Sequence, residues 1–150
     1  TAYDPKCSML MGTGEDIATG SWGGQPNWAL IGNGGLIATA PDMIDFQKRF
    51  NAGEILSSDS VKLVQTAHQQ EGKNAASYYG YGVVVEDHPE YGRLYWHNGR
   101  NGQFHANLTT FDDHGLIVFT ASSTPSYNAD KATQLIATTF LNSDNLKKIE

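Results

Sequence analysis

The chain is 150 residues long, one domain's worth, and sets 10 Lys and Arg against 16 Asp and Glu for a formal net charge of −6. So few cations do not suit a phosphate backbone, which excludes nucleic acid as an expected partner. No run approaches the ~20 apolar residues of a membrane helix, and a lone cysteine, Cys7, excludes an internal disulfide and a cysteine-based metal site. Cys7 is expected to be a structural thiol, because no electropositive niche surrounds it in the sequence. The sequence opens at Thr1, and no basic stretch leads into an apolar signal-peptide core, so a processed or excised segment is expected.

Residues 1–35 are rich in Gly, Ser, Thr, Asn and Asp, with Trp22, Trp28 and Leu30 as isolated apolar anchors. They show neither helical nor strand periodicity and read as a long irregular segment, of the kind that is functional or leans on another part of a protein. Order begins at "GNGGLIATAPDMIDFQKRF". Thr39 is placed to cap a helix, with Asp42 three residues on as its reciprocal partner and Pro41 in the first turn, where a missing N–H costs nothing. Met43, Ile44, Phe46, Gln47 and Phe50 follow at helical spacing and Gly53 supplies a stop, so a helix is predicted over 40–51. "ILSSDSVKLVQTAH" repeats the pattern, with Ser57 or Ser58 as cap and Val61, Leu63 and Val64 on the inner side, and predicts a helix over 58–67.

From Tyr79 the period changes to two. "YGYGVVVED" reads as a strand, "HPEYG" as a turn, "RLYWHNG" as a returning strand, "QFHANLTTF" as a third, "DDHG" as a tight turn and "LIVFTAS" as a fourth. Asn128 or Ser126 then caps a last helix, in which Ala132, Leu135, Ile136, Thr139 and Phe140 form a stripe expected to lie on the sheet. The chain thus divides into an irregular segment plus two helices over 1–78, and an antiparallel meander with its C-terminal helix over 79–150. The fold class is α+β, an antiparallel sheet flanked by helices.

Five histidines are the first candidates for chemistry. No two stand at the i, i+4 spacing of a helical zinc site, so no metal is expected. His88 and His114 fall in predicted turns and His68 near a helix end, where solvated side chains are expected. His105 shares a predicted strand face with Gln103 and Asn107. His97 differs in its company. A strand that ends in a basic residue, a small polar residue and a glycine, His97-Asn98-Gly99, lets a substrate lie against its edge with no side chain in the way. It also presents the next backbone N–H, that of Arg100, as an oxyanion donor.

From "YGYGVVV" through "HNGRNGQFHANLTTFDDHGLIVFTAS" to the last helix, the chain resembles the C-terminal part of the serine β-lactamase and penicillin-binding-protein superfamily, in its class C-like esterase and D-peptidase branch. "GGLIATAPDMIDFQKRF" and "ILSSDSVKLV" resemble that family's glycine turn and the two helices after it. The resemblance implies the C-terminal part of an α/β/α sandwich and a serine hydrolase that forms an acyl-enzyme with an ester, amide, D-peptide or β-lactam. It implies no cofactor, a small-molecule or peptide substrate, and a periplasmic or secreted setting. His97 matches the basic residue of the family's third motif, Lys-Thr-Gly or His-x-Gly, and histidine there is commoner in the esterase and peptidase members. Asn98 would supply a polar side chain, Gly99 access, and the N–H of Arg100 the oxyanion contact; Arg100 itself stands where the family often has a small residue.

The family's nucleophile sits in Ser-x-x-Lys. The residues three before the seven lysines are Tyr3, Asp45, Asp59, Gln70, Asn128, Asp144 and Asn145, and no Tyr-x-Asn occurs. The 150 residues are therefore expected to be an inactive fragment of an active parent, with an apolar strand, "LIVFTAS", left to self-associate. The alternatives are a non-catalytic penicillin-binding-like descendant, or a carbohydrate-binding module built on Trp22, Trp28, Tyr79, Tyr81 and Trp96.

Overall fold

The computed structural model describes residues 38–100, 104–124 and 126–142. Cys7, Trp22, Trp28 and the segment at 1–35 lie outside these residues. The first helix, α1, spans Ala40–Asn51 and starts as its sequence requires. Thr39 Oγ1 accepts the Asp42 N–H at 3.3 Å, and the Asp42 carboxylate accepts the Thr39 N–H at 3.1 Å. Two otherwise orphaned donors are satisfied reciprocally, and the carboxylate stands at the positive end of the helix dipole.

The second helix, α2, spans Ser58–Val64 with Ser57 as its cap, and stops short of the expected residue 67. Its last carbonyls find partners outside the helix: the Thr66 hydroxyl takes Lys62 O at 2.7 Å, the His68 ring meets Leu63 O at 2.9 Å, and the Tyr81 N–H takes Val64 O at 3.1 Å. A helix end satisfied in this way has no need of another turn. His68, expected to be merely solvated, closes α2 and packs its ring against Tyr81 at 4.3 Å.

Six strands follow in one antiparallel sheet whose spatial order is the chain order: β1 Gln69–Gln70, β2 Ser77–Tyr79, β3 Val84–His88, β4 Gly92–Arg100, β5 His105–Phe111 and β6 Leu116–Ser122. The single strand expected over 79–87 is a hairpin instead. Tyr79 pairs with Val84, the Gly80 N–H donates to Val83 O at 2.8 Å, and Gly82 takes φ +82°. Gly80 is also pressed against the Val64 carbonyl, where any Cβ would collide with backbone. Two glycines that looked like gaps in a strand are what turns it.

The third helix, α3, spans Ala129–Leu141, and of the two caps considered the structure uses Asn128, whose side chain accepts the Lys131 N–H at 3.0 Å. It packs on one sheet face through a core of Tyr91, Leu94, Phe111, Val118 and Ala137. The opposite face carries α1: Asn51 Nδ2 reaches Thr110 Oγ1 at 3.5 Å, and Ala40, Pro41 and Ile44 line a groove with Phe119. The face that α3 turns to the sheet is not the predicted stripe. Ala129, Thr133 and Ala137 are buried, while Leu135 is 69% exposed and Phe140 52% exposed. Small residues let the helix approach the strands closely, and the Thr120 hydroxyl bonds Ala129 O at 2.9 Å and Thr133 Oγ1 at 2.8 Å across the contact. On α1, Phe46 is likewise exposed, and on α2 it is Val61 that is buried, with Leu63 outside. Among the described residues no helix is long and apolar enough to cross a membrane.

Candidate active site

The ladder between β3 and β4 ends at Val84 opposite Trp96, whereas that between β4 and β5 runs on to Arg100 opposite His105. From His97 to Arg100, β4 therefore keeps β5 on one side and, among the described residues, has no strand on the other. A Cβ built on Gly99 would point out of the sheet plane and, among the described residues, meet no atom within 4 Å. A strand edge with no neighbouring strand among the described residues is the kind of place to which an extended ligand adds.

Alternation along β4 sends His97 and Asn98 to opposite sides of the sheet. His97 is exposed, and its Nε2 meets the hydroxyl of Tyr79 at 2.9 Å with the two rings edge to face. Tyr79 ends β2, so this bond spans two strands of the sheet past the first residue of β3. Nothing in the periodicity marks Tyr79 for this site; the sequence offers it only as the start of a strand and as one aromatic of the alternative carbohydrate-binding module. Asn98 turns the other way, toward α3, and its Nδ2 donates to both carboxylate oxygens of Asp130 at 3.2 Å.

Asp130 is the centre of a polar cluster. Asn107, directly opposite Asn98 in the ladder, donates to the same carboxylate at 2.8 Å, and the Thr109 hydroxyl donates to Asn107 Oδ1 at 2.6 Å. His105 is 7% exposed and sets Nε2 3.6 Å from Asp130 Oδ2. Its Nδ1 lies 3.2 Å from the Ala129 N–H and 3.1 Å from Tyr127 O. A bare Nδ1 accepts from Ala129 and leaves the proton on Nε2, facing the carboxylate; a doubly protonated ring turns its Nδ1–H to Tyr127 O. His105 and Asn107 do share a strand face, as expected, but that face is covered by α3.

Two Ser-x-Asn triplets, Ser126-Tyr127-Asn128 and Ser143-Asp144-Asn145, were missed in the sequence. The first ends in the cap of α3, and its asparagine is committed to Lys131 N–H. The second lies outside the described residues.

The Beta-lactamase family model matches residues 4–140. The chain belongs to the Beta-lactamase family. An octameric penicillin-binding protein homologue from Pyrococcus abyssi superposes with a TM-score of 0.67 at 16% identity, over 74% of this chain and 26% of that one. A penicillin-binding protein from Bacillus halodurans gives 0.63 at 22% identity, over 71% of this chain and 32% of its own. This Beta-lactamase family chain thus spans about a quarter to a third of the length of those two proteins. No curated protein matches it. Family and fold class, the α+β sheet flanked by helices, are as the resemblance implied.

Proposed function

We propose that this chain supplies the third-motif side of a serine hydrolase that acts through an acyl-enzyme on an ester, amide, D-peptide or β-lactam. One observation carries the reading: the His97 imidazole stands near the end of β4, held by Tyr79, beside Gly99, at whose Cβ position no atom of the described residues lies within 4 Å. In this role His97 takes part in the proton network around the nucleophile, and the Arg100 N–H donates a hydrogen bond to the carbonyl oxygen as it takes on negative charge when serine attacks. Attack moves the serine proton into that network. Collapse of the tetrahedral adduct returns a proton to the leaving group, and water then repeats the sequence to release the acid.

The 150 residues hold no Ser-x-x-Lys, and in this proposal the serine and its lysine are assigned to sequence outside them. Self-association through β6 belongs to the same reading: among the described residues β6 pairs on one side only, and the Pyrococcus abyssi homologue is octameric. In the protein that carries this sequence with its nucleophile, a fluorophosphonate or a fluorescent penicillin should label one serine outside residues 1–150. His97→Ala should leave the fold intact and lower kcat/KM by about 10²-fold, the usual share of a positioned acid–base group. Absence of labelling, or wild-type turnover by His97→Ala, overturns the proposal.

A further inference from the structure

We propose that Asp130 is a positioning residue for the His97-Asn98-Gly99 strand end: from the first turn of α3 its carboxylate grips the Asn98 amide and so fixes the edge on which substrate lies. The inference rests on the hydrolase reading above and adds a residue that the third motif does not contain. A strand end with one neighbouring strand and a glycine in it is poorly held by its own hydrogen bonds. His97 is exposed and turned to Tyr79, and among the described residues nothing packs at the Gly99 position. Asn98 is the residue between them, and both of its bonds to α3 end on Asp130.

Asp130 is in turn immobilised. Asn107 holds one oxygen at 2.8 Å, His105 stands behind the other, and the carboxylate sits in the first turn of a helix capped by Asn128. Helix capping alone does not account for this arrangement, since a solvated acid in the first turn serves the dipole equally well. Burying His105 and Asn107, 7% and 4% exposed, costs desolvation that an apolar pair would avoid. What the cluster gains is direction: a satisfied network allows one arrangement of its members. Asn98 and Asn107, facing each other across the ladder and donating to one carboxylate, staple β4 to β5 and to α3 on the side away from His97. The staple thus holds the backbone of the strand end from the face opposite His97. A displacement near 1 Å at such a site costs up to ~10²-fold in rate.

The test is a double-mutant cycle in the protein that carries this sequence with its nucleophile. Asp130→Asn, which sets an amide against two amides, should lower kcat about tenfold with KM within about twofold. In an Asn98→Ala background the same change should cost less than about twofold, because the amide it positions is gone. Asn128→Ala, which weakens the α3 cap without touching Asn98, should lower Tm and leave kcat/KM unchanged. Equal losses from Asp130→Asn in both backgrounds, or none in either, overturn the proposal. Amide hydrogen exchange over residues 97–100 reads the positioning without any turnover. Asp130→Asn should speed it at least about tenfold while Asn128→Ala does not, and unchanged exchange overturns the proposal by itself. If the wild type is inactive while exchange responds as stated, the hydrolase reading fails and the staple stands. If the wild type is active, His97→Ala is impaired and exchange does not respond, only the staple fails. Should Asp130→Asn not fold, Asn98→Leu removes the amide alone and carries the same exchange test.

Discussion

Tyr79 bonds His97 at the proposed site, whereas His105 lies in the layer between β5 and α3, bonded to the Ala129 N–H. The Tyr79 hydroxyl fixes the His97 ring through a single bond at 2.9 Å on a side chain 36% exposed. A neutral hydrogen bond contributes ~1 kcal/mol, so in the protein with its nucleophile Tyr79→Phe should lower kcat/KM about fivefold, leave Tm nearly unchanged, and add nothing once His97 is alanine. His105→Ala should behave in the opposite way. It deletes a buried ring and orphans the Ala129 N–H at the start of α3, which costs about 2–3 kcal/mol of stability. Steady-state kinetics beside urea melts separate the two. Loss of stability at Tyr79→Phe without loss of rate would return Tyr79 to the strand aromatic its sequence suggests.

The elements whose signals are local matched the sequence, and α1 shows why. Its capping box is complete within four residues, and the Thr39 hydroxyl and then the Thr39 N–H, both bonded to the Asp42 carboxylate, hold that group below its ordinary pKa of 3.8. A depressed folded pKa means that the unfolded chain takes up the proton first. The stabilisation from Asp42 is therefore fully present above about pH 4 and is lost as pH falls through the folded value. Asp42→Asn should be less stable than wild type at pH 5, and the gap in Tm should close as pH is lowered toward 2.5; a gap constant across that range would remove the charge from the argument. The strands of β4, β5 and β6 were legible for a similar reason, since alternation is written residue by residue. Where partners are remote, legibility failed. The most apolar stripe of α3 points outward, because the sheet beneath presents threonines, an asparagine and a histidine that call for a close, small-residue contact. At the site, His97, Asn98 and Gly99 are contiguous and could be read as a motif. Tyr79 and Asp130 lie 18 and 32 residues from the residues they hold, and only the hairpin at Gly80 and the return of α3 bring them there.

At the scale of the whole chain, the proposed site has an imidazole, a strand edge with no neighbouring strand among the described residues and a supporting layer, and the question is whether any serine within the 150 residues completes it. Four of the seven described serines are engaged elsewhere. Ser57 caps α2 and shares a 2.9 Å bond with Ser60, Ser77 donates to Glu71 at 2.7 Å, and the Ser122 hydroxyl accepts the Thr124 N–H at 3.0 Å. None of these bonds pairs a serine with a lysine or histidine that could take its proton, and a hydroxyl without such a base is a weak nucleophile at neutral pH. The His97 Nε2 is occupied by Tyr79, a phenol and not an attacking group. No lysine follows a serine at the third position anywhere in the sequence, so residues 1–150 carry no Ser-x-x-Lys of the kind the Beta-lactamase family uses. The 150-residue chain alone should therefore take no covalent label from a fluorophosphonate or a penicillin, as read by intact mass followed by peptide mapping. A stoichiometric adduct on a serine of this chain would move the nucleophile inside these 150 residues and make the chain an enzyme by itself.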